Sequence, residues 1–381
     1  MFNTIKDMED FLLQHSSLDD VKGIKMSDMI QQNPNQILSA DDVRREISVF
    51  ARLLIRAYVG WPVHNKDVKN NVLNHLINMY QNAHDKTTVQ ELFDAFGNAI
   101  SFIPDNHISV FLNNKRKHTG LTRNHIDVGK NIAGDKQIIT KLENGIAIIG
   151  FRKMLRTDEF KAVIEDFIMN ILPKSSSLII DLRGNSGGSS KYSDMFADYL
   201  CGTRIPSAKQ MFIRNTPEML AVQSTSRPDR DKLVNHVFQS KQLMQIGNDL
   251  FNGELIPTDF AETADKCKID NTKAYMKPIY ILTDSYTGSS AEMFLLHMVH
   301  HPMVTVVGDN SAGMELYGDM AVAYLPISNI YFLIGFYYRD LFFDNFELHG
   351  YEPKIKCSDG MDAYKIALNK LFKDIEQNRY R

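Results

Sequence analysis

Residues 280–292, YILTDSYTGSSAE, combine the end of a strand, a tight turn and the start of a helix in one short stretch. The apolar run at residues 279–282 has strand length, and Gly288 marks the turn. Ser289 or Ser290 can cap the helix that follows, because apolar residues recur after it at helical spacing. A serine in such a turn meets the positive end of the helix, where backbone amides can stabilise an oxyanion. An ordinary helix cap is the simpler interpretation of the serine taken alone.

The overall composition is that of a soluble globular protein with two or three domains. The chain has 381 residues, a hydrophobic share of 44%, a charged share of 23% and a formal net charge of -3. This balance lacks the positive field that nucleic-acid binding needs. The three cysteines, Cys201, Cys267 and Cys357, lie far apart without C-x-x-C spacing, which argues against a disulfide framework and a zinc site. They indicate buried thiols in a reducing compartment.

No segment has the pattern of a targeting or membrane-spanning sequence. The first ten residues are rich in charge and lack the apolar core of a Sec signal peptide. The densest apolar run, residues 330–338, has about half the length of a spanning helix and is rich in aromatic residues, so we predict a strand there. We therefore expect a cytoplasmic protein, or one exported by a route without a Sec signal peptide, and no membrane insertion.

Hydrophobic periodicity divides the chain into a helical part and an α/β part. Residues 1–104 carry helical patterns over about 39–58, 68–83 and 89–102, and we predict an N-terminal helical domain there. Residues 105–381 alternate strands at 145–151 and 177–182 with a helix at 157–172, which predicts an α/β fold with a mixed sheet and flanking helices. Residues 201–277 are polar, partly helical and poor in strand pattern, so we interpret them as an insertion over the sheet.

A glycine-rich turn follows the strand at 177–182. Residues 184–188, GNSGG, lie between this strand and a helix, where amides could bind a phosphate. Neither the spacing of a P-loop nor that of a dinucleotide-binding turn is present. Adjacent glycines also allow backbone amides to point at an oxyanion, which would connect this turn to Ser289.

The histidines have to be weighed against structural roles. His107 enters a predicted strand at 107–112, and a histidine in that place is more often structural than catalytic unless it has a partner. His297 and His301 have the i, i+4 spacing of a metal pair, but the glutamate of H-E-x-x-H is absent between them. We therefore expect neither a metal nor another cofactor.

Four blocks of the sequence, in order, resemble the C-terminal processing (tail-specific) serine peptidases and their relative, the tricorn protease core. They are residues 178–188, LIIDLRGNSGG; residues 282–292, LTDSYTGSSAE; residues 306–313, VVGDNSAG; and residues 349–355, HGYEPKI. The resemblance extends over about residues 103–371. It implies a crotonase-like α/β core and a serine peptidase on residues 105–381.

The resemblance also implies site residues. The family's reactive serine lies three residues before an acidic residue, which corresponds to Ser289. The processing branch uses a lysine as base, but the matching position here is Met314. The tricorn-like branch uses a histidine from an early segment and a later glutamate, which correspond to His107 and Glu347. Glu315 is an alternative orienting acid. An oxyanion hole would use the amide of Ser290 with that of Gly187 or Gly188.

Two departures from the family pattern concern how a substrate would be recognised. Fewer residues separate His107 from Gly145 than the roughly 50 that a domain needs, so we expect no PDZ domain. Lys354 replaces the family's closing aspartate, and recognition of a substrate's C-terminal tail is not implied. Two hypotheses stand: a serine endopeptidase or exopeptidase acting on a peptide or protein and able to form a homo-oligomer, and a binding or scaffold protein on the same fold.

Overall fold

The computed structural model describes residues 2–119, 125–262 and 267–379. Its α-helices are α1 (Ile5–Leu13), α2 (Ala40–Arg52), α3 (Lys66–Gln81), α4 (Val89–Ile100), α5 (Asp158–Asp166), α6 (Lys191–Cys201), α7 (Pro217–Ser226), α8 (Asp231–Gln239), α9 (Lys241–Phe251), α10 (Ser290–Met298) and α11 (Ala363–Arg379). Segments of π-helix continue α2 over Leu53–Ala57 and α5 over Phe167–Ile171.

The strands are short, and several contain only two residues. They are β1 (Lys22–Gly23), β2 (Ile37–Leu38), β3 (Thr87–Thr88), β4 (Ser109–Leu112), β5 (Lys115–His118), β6 (Ile138–Glu143), β7 (Ile146–Phe151), β8 (Ser177–Asp181), β9 (Ala208–Arg214), β10 (Leu255–Ala261), β11 (Ile279–Thr283), β12 (Val304–Gly308), β13 (Tyr317–Gly318), β14 (Ala321–Tyr324), β15 (Tyr331–Ile334), β16 (Tyr337–Leu341) and β17 (Ile355–Lys356).

Contacts divide the chain into two units that each draw on three separate segments. The first unit comprises Met1–Thr122, Gln210–Ala261 and Leu316–Asp340. The second unit comprises Arg123–Lys209, Glu262–Glu315 and Leu341–Arg381. This division does not follow the boundary that we predict at residue 104, because segments far apart in sequence pair in the same sheets. The domain boundary stays a prediction.

The first unit contains helices and three sheets around an apolar core, and one of these sheets is only the pair β2-β3. The α2 helix begins in a capping box between Ser39 and Asp42, and one stripe of it, including Ile47 and Phe50, is fully buried. One five-stranded sheet has the order β1-β14-β15-β4-β5, and a four-stranded sheet has the order β10-β9-β16-β13. This arrangement follows from the apolar stripes of α2 and α4, which need a partner surface.

The second unit is built on a six-stranded sheet with the order β17-β12-β11-β8-β7-β6. The β6 strand pairs antiparallel with β7, and the other neighbours in the sheet are parallel. Every residue of β7, β8 and β11 is buried, because helices cover both faces of a parallel sheet. In β7, for example, Ile149 joins the core under α5, α6 and α10, while Ile148 joins the core under α11.

The predicted α/β class with helices and a mixed sheet is confirmed, and so is the helical N-terminal part. Two expectations within it were wrong. The segment at 201–277 is not poor in strands, since it contains the seven-residue strands β9 and β10, which pair with each other. The run at 330–338 is not one strand, because the chain passes from β15 to β16 at Gly335 and Phe336 and enters a different sheet. In the described part of the chain, no helix combines the length and apolar character that crossing a membrane requires.

Candidate active site

Two turns meet at the carboxyl ends of the neighbouring parallel strands β8 and β11. The Gly184 amide donates to both oxygens of the Asp284 carboxylate at 2.9 and 2.8 Å, and the Gly288 amide donates to the Asn185 carbonyl at 2.9 Å. The Ser290 hydroxyl donates to the Gly188 carbonyl at 2.8 Å. The carboxyl ends of strands in an α/β sheet are the usual place for a ligand. The glycine turn and the serine turn thus form one site.

Ser289 joins β11 to α10 through a backbone conformation that is rare outside glycine. Its φ is 53° and its ψ is -128°, whereas a helix cap normally has extended dihedral angles. The simpler interpretation of Ser289 as an ordinary cap does not account for this geometry. A strained residue between a strand and a helix is typical of nucleophile turns, in which the turn exposes the hydroxyl.

Gly187 makes room for Ser289. A Cβ on Gly187 would lie 2.7 Å from the Cβ of Ser289 and 2.9 Å from the Ser290 nitrogen. No side chain fits at that distance, and the φ of Gly187, 94°, also favours glycine. The glycine turn therefore brings its backbone against the serine.

The backbone amides beside Ser289 differ in their availability. Gly187 donates its amide to the Asn185 side-chain oxygen at 2.9 Å, so this amide is occupied. No described residue of the second unit accepts from the amide of Gly188 or that of Ser290. Ser290 is the first residue of α10, where helix geometry leaves the amide without an internal partner. Of the two glycines that we predict as alternatives, Gly188 has the amide that can serve an oxyanion.

Glu292 is fully buried beneath the serine turn. Its carboxylate accepts the Ser289 amide at 3.2 Å, the Gly313 amide at 2.7 Å and the Met314 amide at 2.9 Å. Burial raises the pKa of this carboxyl to about 7, although a hydrogen bond from the Ser311 hydroxyl and those from the amides lower it. The carboxylate thus joins the start of α10 to the turn at 311–314.

Glu347 lies next to that same turn. The Glu315 amide donates to the Glu347 carboxylate at 3.2 Å, and the Leu348 amide donates to the Gly313 carbonyl at 2.8 Å. Met314, which occupies the position of the processing peptidases' lysine, would contact a Cβ on Gly288 through its sulfur at 2.6 Å. Hydrogen bonds within the second unit therefore connect the turns that carry Ser289, Met314 and Glu347. The choice between Glu347 and Glu315 as the orienting acid stays open.

His107 belongs to the first unit. Its amide donates to the buried Asp105 carboxylate at 2.7 Å, and its ring hydrogen-bonds to the backbone of Tyr317. Burial, with a smaller contribution from Arg339, lowers the pKa of His107 to about 3. Its Nδ1 is buried and has no hydrogen-bond partner among the described residues of the first unit. The pairing of His107 with Ser289 stays a prediction.

A second serine–histidine pair, which sequence reasoning missed, lies in the second unit. His125 Nδ1 is hydrogen-bonded to the Ser285 hydroxyl, and its ring packs on Tyr286 with the ring centroids 4.4 Å apart. His125 is exposed and Ser285 is half-buried. Ser285 has no strained backbone, and it precedes the helix start by several residues. No sequence signal links two such distant residues.

The pair with metal-ligand spacing, His297 and His301, lies in and just after α10. Among residues 2–119, 125–262 and 267–379, no three His, Cys, Asp or Glu side chains are grouped so that they could hold an ion. His297 faces Asp194 at 3.6 Å, and burial lowers the pKa of His297 to about 4. Its neutral ring is therefore part of the packing between α10 and α6.

Sequence reasoning also missed what Asp105 and Glu292 do. Asp105 lies two residues before His107, the spacing at which an aspartate accepts a backbone amide within a turn. Tyr58 donates its hydroxyl to Asp105 at 2.8 Å, and burial raises the pKa of Asp105 to about 6. Glu292 is at the third position of a helix, where a carboxylate reaches back to the cap residue. Both spacings were visible in the sequence.

Comparison with known protein families gives one match. A profile of peptidase family S41 matches residues 145–356, which is more than half of the chain. This range contains β7, β8, β11 and β12 of the parallel sheet, Ser289, the three glycines of the turn at 184–188, and Glu347. No curated protein matches the chain by sequence.

Several solved structures have similar folds. A protein from Parabacteroides merdae with a provisional peptidase assignment is 16% identical, with a TM-score of 0.58 over 88% of this chain and 97% of that one. A lipoprotein from Streptococcus agalactiae is 14% identical, with a TM-score of 0.47 over 88% and 97%. The photosystem II D1 C-terminal processing protease is 9% identical, with a TM-score of 0.41 over 81% and 91%. The first likeness supports the fold, and the identities are too low to specify a substrate.

Proposed function

We propose that this chain, which belongs to peptidase family S41, cleaves peptide bonds through an acyl-enzyme on Ser289. The chain is a serine-type peptidase, and its substrates are peptides or proteins. In this proposal His107 is the general base, Glu347 orients it, and the amides of Ser290 and Gly188 bind the oxyanion. The residues come from both units, so the assembly of this triad is itself part of the proposal.

The proposed reaction has two halves. His107 takes the hydroxyl proton as Ser289 Oγ bonds to the substrate carbonyl carbon, and the carbonyl oxygen becomes an oxyanion. The C–N bond then breaks, and His107 returns the proton to the leaving amine. Water, deprotonated by the same histidine, attacks the ester carbonyl carbon; the C–O bond to Ser289 breaks, the acid is released, and His107 returns the proton to Ser289 Oγ. Serine is a weak nucleophile at its own pKa, which is why a base is required.

The geometry of Ser289 carries this proposal. A positive φ on a non-glycine residue costs free energy, on the order of 1–3 kcal/mol, and persists where surrounding contacts impose it. At Ser289 (φ 53°) those contacts are the Glu292 carboxylate and the close approach of Gly187. The same turn leaves the Ser290 amide without a partner among the described residues of the second unit. Nucleophile and oxyanion donor are thus adjacent, which acyl transfer needs.

The surroundings of His107 set a condition for its role as a base. Burial lowers the pKa of the ring to about 3, so the ring is neutral at pH 7 but binds a proton weakly without a negative charge beside it. Asp105 holds the backbone of His107 through a hydrogen bond of 2.7 Å. Protonation of a buried ring has to be compensated by a negative charge, which is the task that we assign to Glu347.

Labelling with a fluorophosphonate probe tests the proposal directly. Wild-type protein should react, because an activated serine displaces fluoride from the probe and becomes phosphonylated. Ser289→Ala should abolish labelling, and His107→Ala should slow it by about four orders of magnitude, since residues that act as a unit each remove most of the rate. Intact-mass analysis would measure the extent and the rate.

Ser285→Ala is the matched control, because Ser285 is a serine of this turn whose hydroxyl is hydrogen-bonded to a histidine, His125. It should label at the wild-type rate. Labelling that survives Ser289→Ala and disappears in Ser285→Ala would move the nucleophile to Ser285 and overturn the assignment. Glu347→Gln and Glu315→Gln, measured side by side, identify the orienting acid by the larger loss.

A further inference from the structure

The carboxylate of Glu292 has more donors than a helix cap needs. A capping glutamate normally accepts the amide of its own cap residue. Glu292 accepts that amide from Ser289 and, in addition, the amides of Gly313 and Met314 and the hydroxyl of Ser311. Its side chain is 0% exposed. A buried carboxylate with this many donors fixes each of them in position.

The turn that donates hydrogen bonds to Glu292 also contacts the segment that carries Glu347. The Gly313 carbonyl accepts the Leu348 amide at 2.8 Å, and the Glu315 amide donates to the Glu347 carboxylate at 3.2 Å. A Cβ on Gly313 would lie 2.6 Å from both the Phe346 carbonyl oxygen and the Gly350 nitrogen, so the two turns are in close contact. Ser289 and Glu347 are therefore connected through a single buried carboxyl group.

We propose that Glu292 is a positioning residue: its carboxylate holds Ser289 in the positive-φ conformation and fixes the distance from Ser289 to the turn that carries Glu347. This inference rests on the proposed role of Ser289 as nucleophile. Glu292 does not touch the substrate, and it acts only through the residues whose amides it binds.

A glutamine at this position keeps the shape and changes the hydrogen bonding. A carboxylate offers two acceptor oxygens, whereas an amide offers one oxygen and two donor hydrogens. The side-chain nitrogen in the Glu292→Gln variant would have to face an N–H or O–H donor. The hydrogen bonds that the replaced oxygen accepted are lost, and either the Ser289 backbone or the turn at 311–314 has to shift. A shift of about 1 Å at a nucleophile costs on the order of 10²-fold in rate.

The chain provides a matched control in the first unit. Glu46 of α2 is also 0% exposed and accepts the amides of Ile327 and Ser328 at 2.9 and 3.1 Å, together with the Ser328 hydroxyl. Glu46→Gln therefore makes the same chemical change in a similar setting. It should lower thermal stability about as much as Glu292→Gln does, without a change at Ser289.

The experiment measures fluorophosphonate labelling at several probe concentrations, which separates the maximal rate of phosphonylation from the probe's apparent affinity. Glu292→Gln should reduce the maximal rate about 10²-fold and leave the affinity within about twofold. Glu46→Gln should change neither. Amide hydrogen exchange of peptides covering 287–291 and 311–315 should accelerate in Glu292→Gln alone.

The outcomes separate this inference from the proposed function. A Glu292→Gln protein that labels at the wild-type maximal rate, while Ser289→Ala does not label, would overturn the role of Glu292 and leave the nucleophile assignment intact. If wild type does not label, the proposed function fails, and unchanged exchange at 287–291 and 311–315 would then overturn the positioning role independently.

If Glu292→Gln does not fold, Ser311→Ala removes one donor and should lower the maximal rate about threefold; no change would contradict the proposal.

Discussion

Two buried carboxylates in this protein have nearly the same chemistry and different surroundings. Glu46 in the first unit and Glu292 in the second are both 0% exposed, both accept backbone amides from a distant turn, and both accept a serine hydroxyl. Burial raises the pKa of both carboxyl groups. The Glu46 donors belong to the hairpin between β14 and β15, whereas one Glu292 donor is the amide of Ser289.

Both carboxylates are buried and hydrogen-bonded, so these two features indicate only a structural role. The residues that donate the hydrogen bonds distinguish Glu292, because one of them is the proposed nucleophile. A buried carboxylate that binds backbone amides stabilises the turn that supplies them. At Glu46 this turn is a hairpin of the first unit. At Glu292 it is the turn of the proposed nucleophile. Variants that separate the two effects therefore test the functional assignment.

The largest effect is expected from a change that moves Ser289 directly. In Gly187→Ala the new Cβ would lie 2.7 Å from that of Ser289, so Ser289 has to move, and we expect the maximal labelling rate to fall by about 10²-fold or more. Gly360→Ala is the control, because Gly360 also has a positive φ, 78°, with no atom within 4 Å of its Cβ position. It should lower stability by roughly 1 kcal/mol and leave labelling unchanged. Equal losses in both variants would mean that backbone strain, rather than the position of Ser289, is responsible.

The pH dependence should distinguish the two carboxylates with a smaller effect. The pKa of Glu292 is raised from 4.5 to about 7, and the groups that face it, Ser289, Ser311, Gly313 and Met314, do not titrate near neutral pH. Only the carboxylate form accepts all four donors. We therefore expect wild-type labelling to fall about fivefold from pH 7 to pH 6. His107, with its pKa lowered to about 3, does not titrate in this interval.

Stability should change with pH in the opposite direction. Between pH 4.5 and about 7, the Glu292 carboxyl keeps its proton in the folded protein and has lost it in the unfolded chain. The stability that this proton contributes is therefore lost as pH rises through about 7. Glu292→Gln should remove both dependences, and Glu46→Gln should leave the labelling profile unchanged. A labelling profile that is identical in wild type and Glu292→Gln would assign the titration to another group.

The smallest effect is expected from the serines that donate to each carboxylate. Ser311 donates to Glu292 and accepts the Tyr351 amide at 2.8 Å, and Ser328 donates to Glu46 and accepts the Ile330 amide at 3.2 Å. Each alanine variant should lower the free energy of unfolding by about 1–2 kcal/mol, because two hydrogen bonds are lost at a buried position. Thermal unfolding measures this loss. Slower labelling in Ser328→Ala as well as Ser311→Ala would show that general destabilisation, rather than local positioning, affects the serine.

Much of the fold could be predicted from local patterns. The apolar runs of β7, β8 and β11 and the helical stripes of α2, α3 and α4 predict their elements, because burial requires a matching period in the sequence. The strands β9 and β10 could not be predicted in this way. They lie in polar, partly helical sequence; β10 is stabilised by pairing with β9, and β9 by pairing with both β10 and β16. The change of sheet at Gly335 likewise depends on partners distant in sequence.

The candidate site was predictable to the extent that its motifs are contiguous. The turns at 184–188 and 287–290 each appear as a strand, a turn and a helix start, so the glycines and a serine at 289 or 290 could be named from the sequence. The choice of Ser289 as nucleophile, like Glu347 and His107, came from family resemblance. The occupied amide of Gly187, the second pair at Ser285 and the donors of Glu292 could not be predicted, because each depends on residues from other segments.

The sequence by itself determined the parallel strands, the two turns and the serine between a strand and a helix, since these follow from hydrophobic period and turn chemistry within short windows. Only the tertiary structure decided which amide beside Ser289 is available and which acid is buried against it. It also decided that one carboxylate, that of Glu292, binds the amides of both Ser289 and Met314. The physical reason is that a buried polar group has to find its partners in space, and the sequence does not specify which distant segment supplies them.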